Sequence, residues 1–259
     1  MKTKLTVIKI GGEIINNPEQ LQAFLADFSH LNEPKVLVHG GGKIATALSA
    51  KLGIETRMQE GRRITTKENL EVVTMVYAGL INKNITASLQ SQQCNAIGLS
   101  GADASVIVAS KRPSKPLDYG YVGDIQSINS KVIDTFVQSQ MVPVFSAICH
   151  DGKGQLLNTN ADTIATEIAI AMSEKYDTEL IYCFDKKGVL MDVNDDDSVV
   201  GKINTDVYRN LREQKVIHDG MLPKMENAFH ALNHKVSKVM IGNTDFIKDR
   251  TEAHTLLTL

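Results

Sequence analysis

The sequence predicts a three-layer α/β/α protein built around a mostly parallel open sheet. Several short β-branched, apolar runs are hydrophobic nearly throughout instead of alternating, which marks strands covered on both faces. Stretches with helical spacing separate them, and that alternation implies right-handed crossovers between parallel strands. Glycine clusters follow several of the runs, where an open parallel sheet gathers its ligands.

The first run, residues 5–10, ends at Gly11-Gly12. Pro18 then suits the first turn of a helix whose apolar side is Leu21, Phe24, Leu25 and Phe28. Residues 35–38 form the second strand, followed by Gly40-Gly41-Gly42 and a helix over 45–52. Residues 55–65 and 111–128 break the rhythm; rich in Gly, Pro, Tyr and charge, they read as hairpins or lids over one sheet edge. Between them lies a long helical stretch from Lys67 to about Gln92, with a break expected near Gly79, and strands at 96–99 and 106–109. Helices at 131–139, 162–173, 206–212 and 224–233 alternate with strands at 142–145, 180–184 and 238–241. The pattern restarts near 174–178, so we expect one domain with two lobes, about 1–175 and 176–259.

Composition excludes several classes. Net charge is −2 with 22% charged residues, which gives no electrostatic footprint for nucleic acid. The longest single-sign run, Asp195-Asp196-Asp197, reads as a solvated loop tip. No apolar run is long enough to span a membrane and no secretory leader precedes the first strand, so a cytoplasmic protein is expected. Cys94, Cys149 and Cys183 lack metal-ligand spacing and read as small buried hydrophobes in a reducing compartment.

The glycine loops fit none of three familiar devices. No G-x-G-x-x-G occurs in "KIGGEI" or "HGGGKIA", and Ile44 stands where a P-loop needs a hydroxyl residue. "HGGG" has no nucleophile elbow to serve. What remains is either a pair of tight strand–helix turns or a pair of anion cradles, in which backbone N–H groups and helix N-termini converge on charge. Lys9 beside the first loop favours the cradles.

Three more clusters share this character. In "LNTNAD", Asn160 is a good N-cap and Asp162 suits a first turn, so capping explains part of the cluster but not Asn158. "GRRIT" closes a hairpin with adjacent guanidinium groups, which clamp carboxylates bidentately. "HDGMLPKMENAF" puts Lys224 in a helix's first turn, against the dipole, a placement that becomes favourable if a phosphate lies in front of it.

Together these strings resemble the amino-acid kinase family, and within it the N-acetylglutamate kinases. "KIGGE" with "VLVHGGGK", "EGRRITT", "NTNAD" and "DGMLPKMENA" match its segments in order, and "GLSGADASVI" and "YVGDI" fall where it has comparable strings. The resemblance implies an eight-stranded, mostly parallel sheet, an N-terminal lobe that binds the amino acid and dimerises, and a C-terminal lobe that binds nucleotide. It implies ATP-dependent phosphorylation of the side-chain carboxylate of N-acetyl-L-glutamate, giving N-acetylglutamyl 5-phosphate in arginine biosynthesis. By the same match Lys9, Lys224 and Asp162 are catalytic: Lys9 on the acceptor side, Lys224 at the leaving β–γ bridge, and Asp162 between them with a lowered pKa. Gly11 and Gly12 would face the nucleotide's phosphoryl group, and Gly41 and Gly42 the acceptor. Arg63, Asn158 and Asn160 match the substrate-binding positions. Asp185, Lys187, Gly188, Val189 and Leu190, with Val216 and His218, match the nucleotide site. Mg²⁺ would ride on the ATP phosphates with no dedicated protein metal site.

Two departures stand out. Arg62 occupies a position that is often apolar in the family, and "VFSAICHDG" replaces a smaller, apolar continuation. Either Arg62 points to solvent, the reading we favour from sequence, or it admits a larger, anionic acyl chain such as succinyl. The first strand starts within a few residues of Met1, leaving no room for the extra helix of arginine-inhibited hexameric relatives. The expectation is an arginine-insensitive homodimer. Carbamate, aspartate, glutamate or UMP kinase activity is the competing enzyme reading, and a non-catalytic amino-acid or nucleotide sensor the competing non-enzyme one.

Overall fold

The computed structural model describes residues 2–59, 62–217 and 219–259. Strands β1 (Lys4–Ile10) and β2 (Lys35–His39) open the central sheet, and β3 (Arg57–Gln59) and β4 (Arg62–Ile64) then form a separate hairpin. β5 (Ala96–Leu99) returns to the central sheet, β6 (Ile107–Lys111) and β7 (Gly123–Ile128) leave it, and β8 (Val142–Ser146) rejoins it. β9 (Ile148–His150) and β10 (Leu156–Asn158) pair with β6 and β7 in a four-stranded sheet. β11 (Asp177–Cys183), β12 (Lys202–Ile203), β13 (Lys238–Gly242) and β14 (Thr255–Leu257) complete a central sheet of eight strands. Its order is β12-β14-β13-β11-β1-β2-β8-β5. All neighbours are parallel except β13 with β14.

Helices α1 (Gly12–Asn16), α2 (Pro18–Ser29), α3 (Gly42–Lys51), α4 (Lys67–Val73) and α5 (Asn82–Ser91) fall in the N-terminal half. α6 (Ser130–Gln138), α7 (Ala161–Ser173), α8 (Thr205–Glu213), α9 (Leu222–Asn233) and α10 (Thr244–Lys248) follow. α2 packs with α5 and α10, while α7 lies on β1 and β11 with α9 beside it. β1, β2 and β11 are buried nearly end to end, as two-sided coverage requires. The expected three-layer α/β/α architecture is therefore present.

Two expectations change. The helix does not stop near Gly79: Thr74–Ile81 forms a π-helical segment that joins α4 to α5, so the wider turn absorbs the irregularity without ending the helix. The apolar run 106–109 becomes β6, outside the central sheet. The chain reverses around Gly101, whose N–H donates to Ile148 O at 2.7 Å and whose carbonyl accepts from Ile107 N at 2.9 Å. An added Cβ at Gly101 would lie 2.8 Å from Ile107 Cβ. Val106 and Ile107 are apolar because they are fully buried where the two sheets meet the core.

Cys94, Cys149 and Cys183 are buried free thiols, and burial pushes Cys149 up to about 12. No helix among the described residues is long and apolar enough to cross a membrane.

The end of β2 is held by a buried polar pair. Asn82 Nδ2 donates to Val144 O at 2.9 Å and faces His39 Nε2 at 3.0 Å, which makes Nε2 the acceptor. The proton then sits on Nδ1, 3.0 Å from Gly40 O. Burial pushes His39 down to about 4, the Gly40 contact opposing it. Below its ordinary pKa the unfolded chain therefore takes up a proton that the native site refuses. Stability should fall with pH between about 6.5 and 4, by about 2 kcal/mol at pH 5 from this group. Urea denaturation across this range should show that slope, and His39→Gln should flatten it while lowering stability overall. An unchanged slope in the variant would refute the assignment.

Candidate active site

β1 and β2 are parallel neighbours in register at Ile10 and His39, so the loops carrying Gly11 and Gly41 leave adjacent carboxyl ends. Each glycine is the N-cap residue of the following helix, and neither helix has a side-chain cap. The first-turn N–H groups of α1 and α3 lack intrahelical partners and are not met by a capping side chain, an arrangement suited to negative charge. Gly41 is obligatory there. Its φ is +149°, and a Cβ would come within 2.2 Å of Ile81 Cδ1. Gly11 N–H is tied to Cys183 O at 2.7 Å, and its Cα backs onto Phe184.

Lys9, at the end of β1, reaches Asp162 Oδ1 at 2.6 Å, and Lys224 stands 3.6 Å from Oδ2 of the same carboxylate. Asn160 caps α7, accepting from Asp162 N at 2.7 Å and Thr163 N at 3.3 Å, which places Asp162 in the first turn. Tyr182 Oη lies 2.6 Å from Thr166 Oγ1, and Thr166 in turn donates to the Asp162 carbonyl at 2.9 Å. Because the Thr166 hydrogen is used this way, Tyr182 is the donor to Thr166, and β11 anchors that first turn. Burial works against a charged Asp162, which is 7% exposed, but the two ammonium groups outweigh it and hold the carboxyl below its ordinary range. Lys224 lies in the first turn of α9, where no acidic residue offsets it, and 6.0 Å over the Phe184 ring. Asp162 supplies the counter-charge that the helix dipole does not.

Beside this triad opens a cleft of about 380 Å³. Gly40, Gly41, Gly42, Asn158 and Asn160 line it together with Tyr77, Arg62, Arg63, Arg112 and Asp124. Arg63, 6% exposed, donates to Gly42 O at 3.0 Å, Thr46 Oγ1 at 2.8 Å and Thr56 Oγ1 at 3.1 Å. It thereby fixes the second glycine loop to the β3–β4 hairpin. Asn158 Nδ2 donates to Thr65 Oγ1 at 3.1 Å. Arg62 is half-exposed, lines the cleft, and makes no hydrogen bond or ion pair among the described residues.

The 185–190 segment leaves β11 through Phe184, next to both Gly11 and Lys224. Asp185 is exposed. Lys187 pairs with Asp197, and Lys186 with Asp196 at 2.7 Å, so the acidic tip read as merely solvated is tied to this loop. Gly188 packs against Thr255, where a Cβ would lie 2.6 Å from the hydroxyl. Val189 N–H donates to that hydroxyl at 2.8 Å, and Leu190 bridges Val199. Val216 sits in the turn after α8, its N–H bonded to Leu211 O at 2.9 Å, and no hydrogen bond among the described residues joins it to the 185–190 loop. His218 lies outside the described residues. No three His, Cys, Asp or Glu side chains among the described residues cluster as a metal centre.

The sequence reading missed Phe184, Tyr77, Arg112, Asp124, Thr46 and Thr56. Phe184 closes the 180–184 run and Asp124 falls within "YVGDI", each without an assigned role, and the others carry no motif of their own.

The Amino acid kinase family model matches residues 4–243, and the chain belongs to that family. Its relatives include the acetylglutamate kinase of Cytophaga hutchinsonii, 53% identical over 239 residues that cover 92% of this chain and 90% of the relative. The acetylglutamate kinase of Bacteroides thetaiotaomicron is 51% identical, covering 96% and 97%. Among solved structures, a protein from Streptococcus mutans superposes with a TM-score of 0.81 at 28% identity, covering 98% of each chain.

Gly41→Ala should destabilise the protein by about 1–3 kcal/mol, through the left-handed φ and the clash with Ile81. Ile81→Val removes the clashing Cδ1, so the double variant should recover part of the loss in thermal denaturation. Full additivity of the two losses would place the strain elsewhere.

Proposed function

We propose that this protein catalyses ATP-dependent phosphorylation of the side-chain carboxylate of N-acetyl-L-glutamate, in arginine biosynthesis. The observation that carries the proposal is the pair of lysines held by one buried carboxylate beside an arginine-walled cleft. The acetylglutamate kinases at 53% and 51% identity support the same activity.

The acceptor carboxylate is already ionised at neutral pH, so no general base is needed. Catalysis then consists of alignment and neutralisation of charge on the transferring group. Lys9 and Lys224 bring two positive charges to that group from opposite sides, and Asp162 keeps them apart and oriented. N–H groups at Gly12, Gly41 and Gly42 add fixed dipoles that need no reorganisation, while Gly11, whose own N–H is bonded to Cys183 O, shapes the first loop. Arg63, Asn158 and Asn160 are assigned to the α-carboxylate and acylamide. ATP supplies the phosphoryl group, and its phosphates would be held by the first glycine loop, Lys224 and the 185–190 segment. Magnesium belongs on those phosphates in this scheme, because Asp162 is committed to the two lysines.

Every residue lining the cleft falls between Gly40 and Glu167, which supports assigning the acylglutamate to a lobe of about 1–175 and the nucleotide to 176–259. A homodimer is proposed through the unpaired edge of β5 and the neighbouring surface, where Met75 and Leu80 are each 53% exposed. We assign the enzyme to the cytoplasm. The retention of Lys9, Asp162 and Lys224 together argues against a non-catalytic sensor.

A coupled ADP-release assay should show turnover that depends on N-acetyl-L-glutamate, with carbamate, aspartate, glutamate and UMP inactive as acceptors. Lys224→Ala should lower kcat about 100-fold or more while KM moves little, because its contact strengthens only in the transition state. Unaltered kcat would remove Lys224 from the chemistry, and release independent of the acylglutamate would remove the proposed substrate.

A further inference from the structure

We infer that Tyr77 is a further substrate-binding residue, its hydroxyl donating a hydrogen bond to the substrate carboxylate that Arg63 receives. The inference rests on the proposed acylglutamate reading and adds a neutral donor to the site of the α-carboxylate.

Tyr77 lies in the π-helical segment Thr74–Ile81, is 6% exposed, and lines the cleft. Irregular turns of this kind are frequent at functional sites. Its ring packs against Gly41, where an added Cβ would come 3.2 Å from the ring's Cδ1 and 3.3 Å from its Cε1. The hydroxyl oxygen reaches further, to 3.9 Å from the position a Cβ on Gly42 would take. Arg63 meets the same glycine, its Nη2 donating to Gly42 O at 3.0 Å. Hydroxyl and guanidinium therefore converge on the second glycine loop.

The phenol keeps its hydrogen for a ligand. Burial pushes its pKa up and the Arg63 guanidinium beside it opposes the rise, so it stays protonated well above neutral pH. A guanidinium carries only donors, so the phenol oxygen accepts from it and its own O–H stays available. That O–H finds no acceptor among the described residues, and its oxygen is not sealed in the core as the Thr74 hydroxyl of the same segment is.

Arg63 needs a second donor beside it. Both forks by which a guanidinium grips two carboxylate oxygens include Nη2. Both Nη2 hydrogens of Arg63 are spent, on Gly42 O at 3.0 Å and Thr46 Oγ1 at 2.8 Å, and Nη1 gives one to Thr56 Oγ1 at 3.1 Å. Arg63 thus offers a carboxylate its charge and a single N–H, which leaves the other oxygen to another group. Tyr77 supplies that group at the same glycine. The α-carboxylate does not change in the reaction, so this contact is equally strong in the ground state and the transition state and acts on affinity.

Tyr77→Phe keeps the ring against Gly41 and removes only the hydroxyl. In the coupled assay KM for N-acetyl-L-glutamate should rise about tenfold, as loss of a hydrogen bond to a charged acceptor gives, while kcat and KM for ATP stay within about twofold. The α-amide of N-acetyl-L-glutamate, tested as a competitive inhibitor, separates this contact from a loosened loop. Its inhibition constant should rise less than the KM of the acid, because a neutral carbonyl accepts a weaker bond than a carboxylate. An unmoved KM, an equal rise for acid and amide, or a fall in kcat instead overturns the contact and leaves the acylglutamate activity standing. Turnover of N-acetyl-L-glutamate by neither protein overturns that activity and the contact with it.

Discussion

Asp162 is the group on which the rest of the site depends. It joins Lys9 at the end of the first strand to Lys224 at the start of a helix late in the chain. Without it, two ammonium groups would face each other in a partly buried space, and the attraction holding α9 to α7 there would become repulsion. Such a triad is a poor device for stability, since withdrawing three charges from water costs about as much as their attraction returns. Its value, in the function we propose, lies in holding two cations on opposite oxygens of one carboxylate, ready for a transferring phosphoryl group. The surroundings serve that end. Asn160 caps the turn that carries the carboxylate, and Tyr182 reaches across from β11 through Thr166 to hold the same turn.

The glycine loops depend on a different constraint, the approach of backbone to ligand. Gly41 takes a conformation closed to other residues, under the packed side chains of Tyr77 and Ile81. The π-helical segment supplies both of those side chains. The irregularity in the long helix and the tight second loop are thus parts of one packing arrangement, with the neutral His39–Asn82 pair beneath it. Arg63 closes the arrangement from the other side, so the loop is fixed by a hairpin, a helix and a strand end together.

Most of the central fold was legible in the sequence because strands buried on both faces carry continuous apolar runs. β9, β10, β12 and β14 were not, since runs of two or three residues show no period. The 106–109 run was legible as a strand but not as a member of the other sheet, because apolarity reports burial and not partner. At the site, Lys9 and Lys224 were legible as local oddities, a lysine at a buried strand end and a cation at a helix start, whereas Asp162 suited its first turn and gained its role only from the family resemblance. Phe184, Arg112 and Asp124 were not legible, for their importance comes from neighbours far away in sequence. Arg62 was read toward solvent, and it is half-exposed. Its place in the cleft lining follows from how the β3–β4 hairpin folds over the glycine loop, a tertiary fact with no local signature.

The two ends of the cleft are built from different kinds of structure, and this separates reaction from selection. The end we assign to the phosphoryl group uses strand termini and helix starts of the central sheet, whose positions are fixed by the whole core. The end we assign to the acyl group uses side chains on or beside strands outside the central sheet. A change of one hairpin residue can therefore alter which acyl chain is accepted while the distance between Lys9, Asp162 and Lys224 stays as it is. Conversely, nothing placed on the hairpins can compensate for a shift of β1 against α7, because the 2.6 Å contact between Lys9 and Asp162 is set by the packing of that helix on that strand. Substrate choice is adjustable in this architecture because the chemistry is anchored elsewhere.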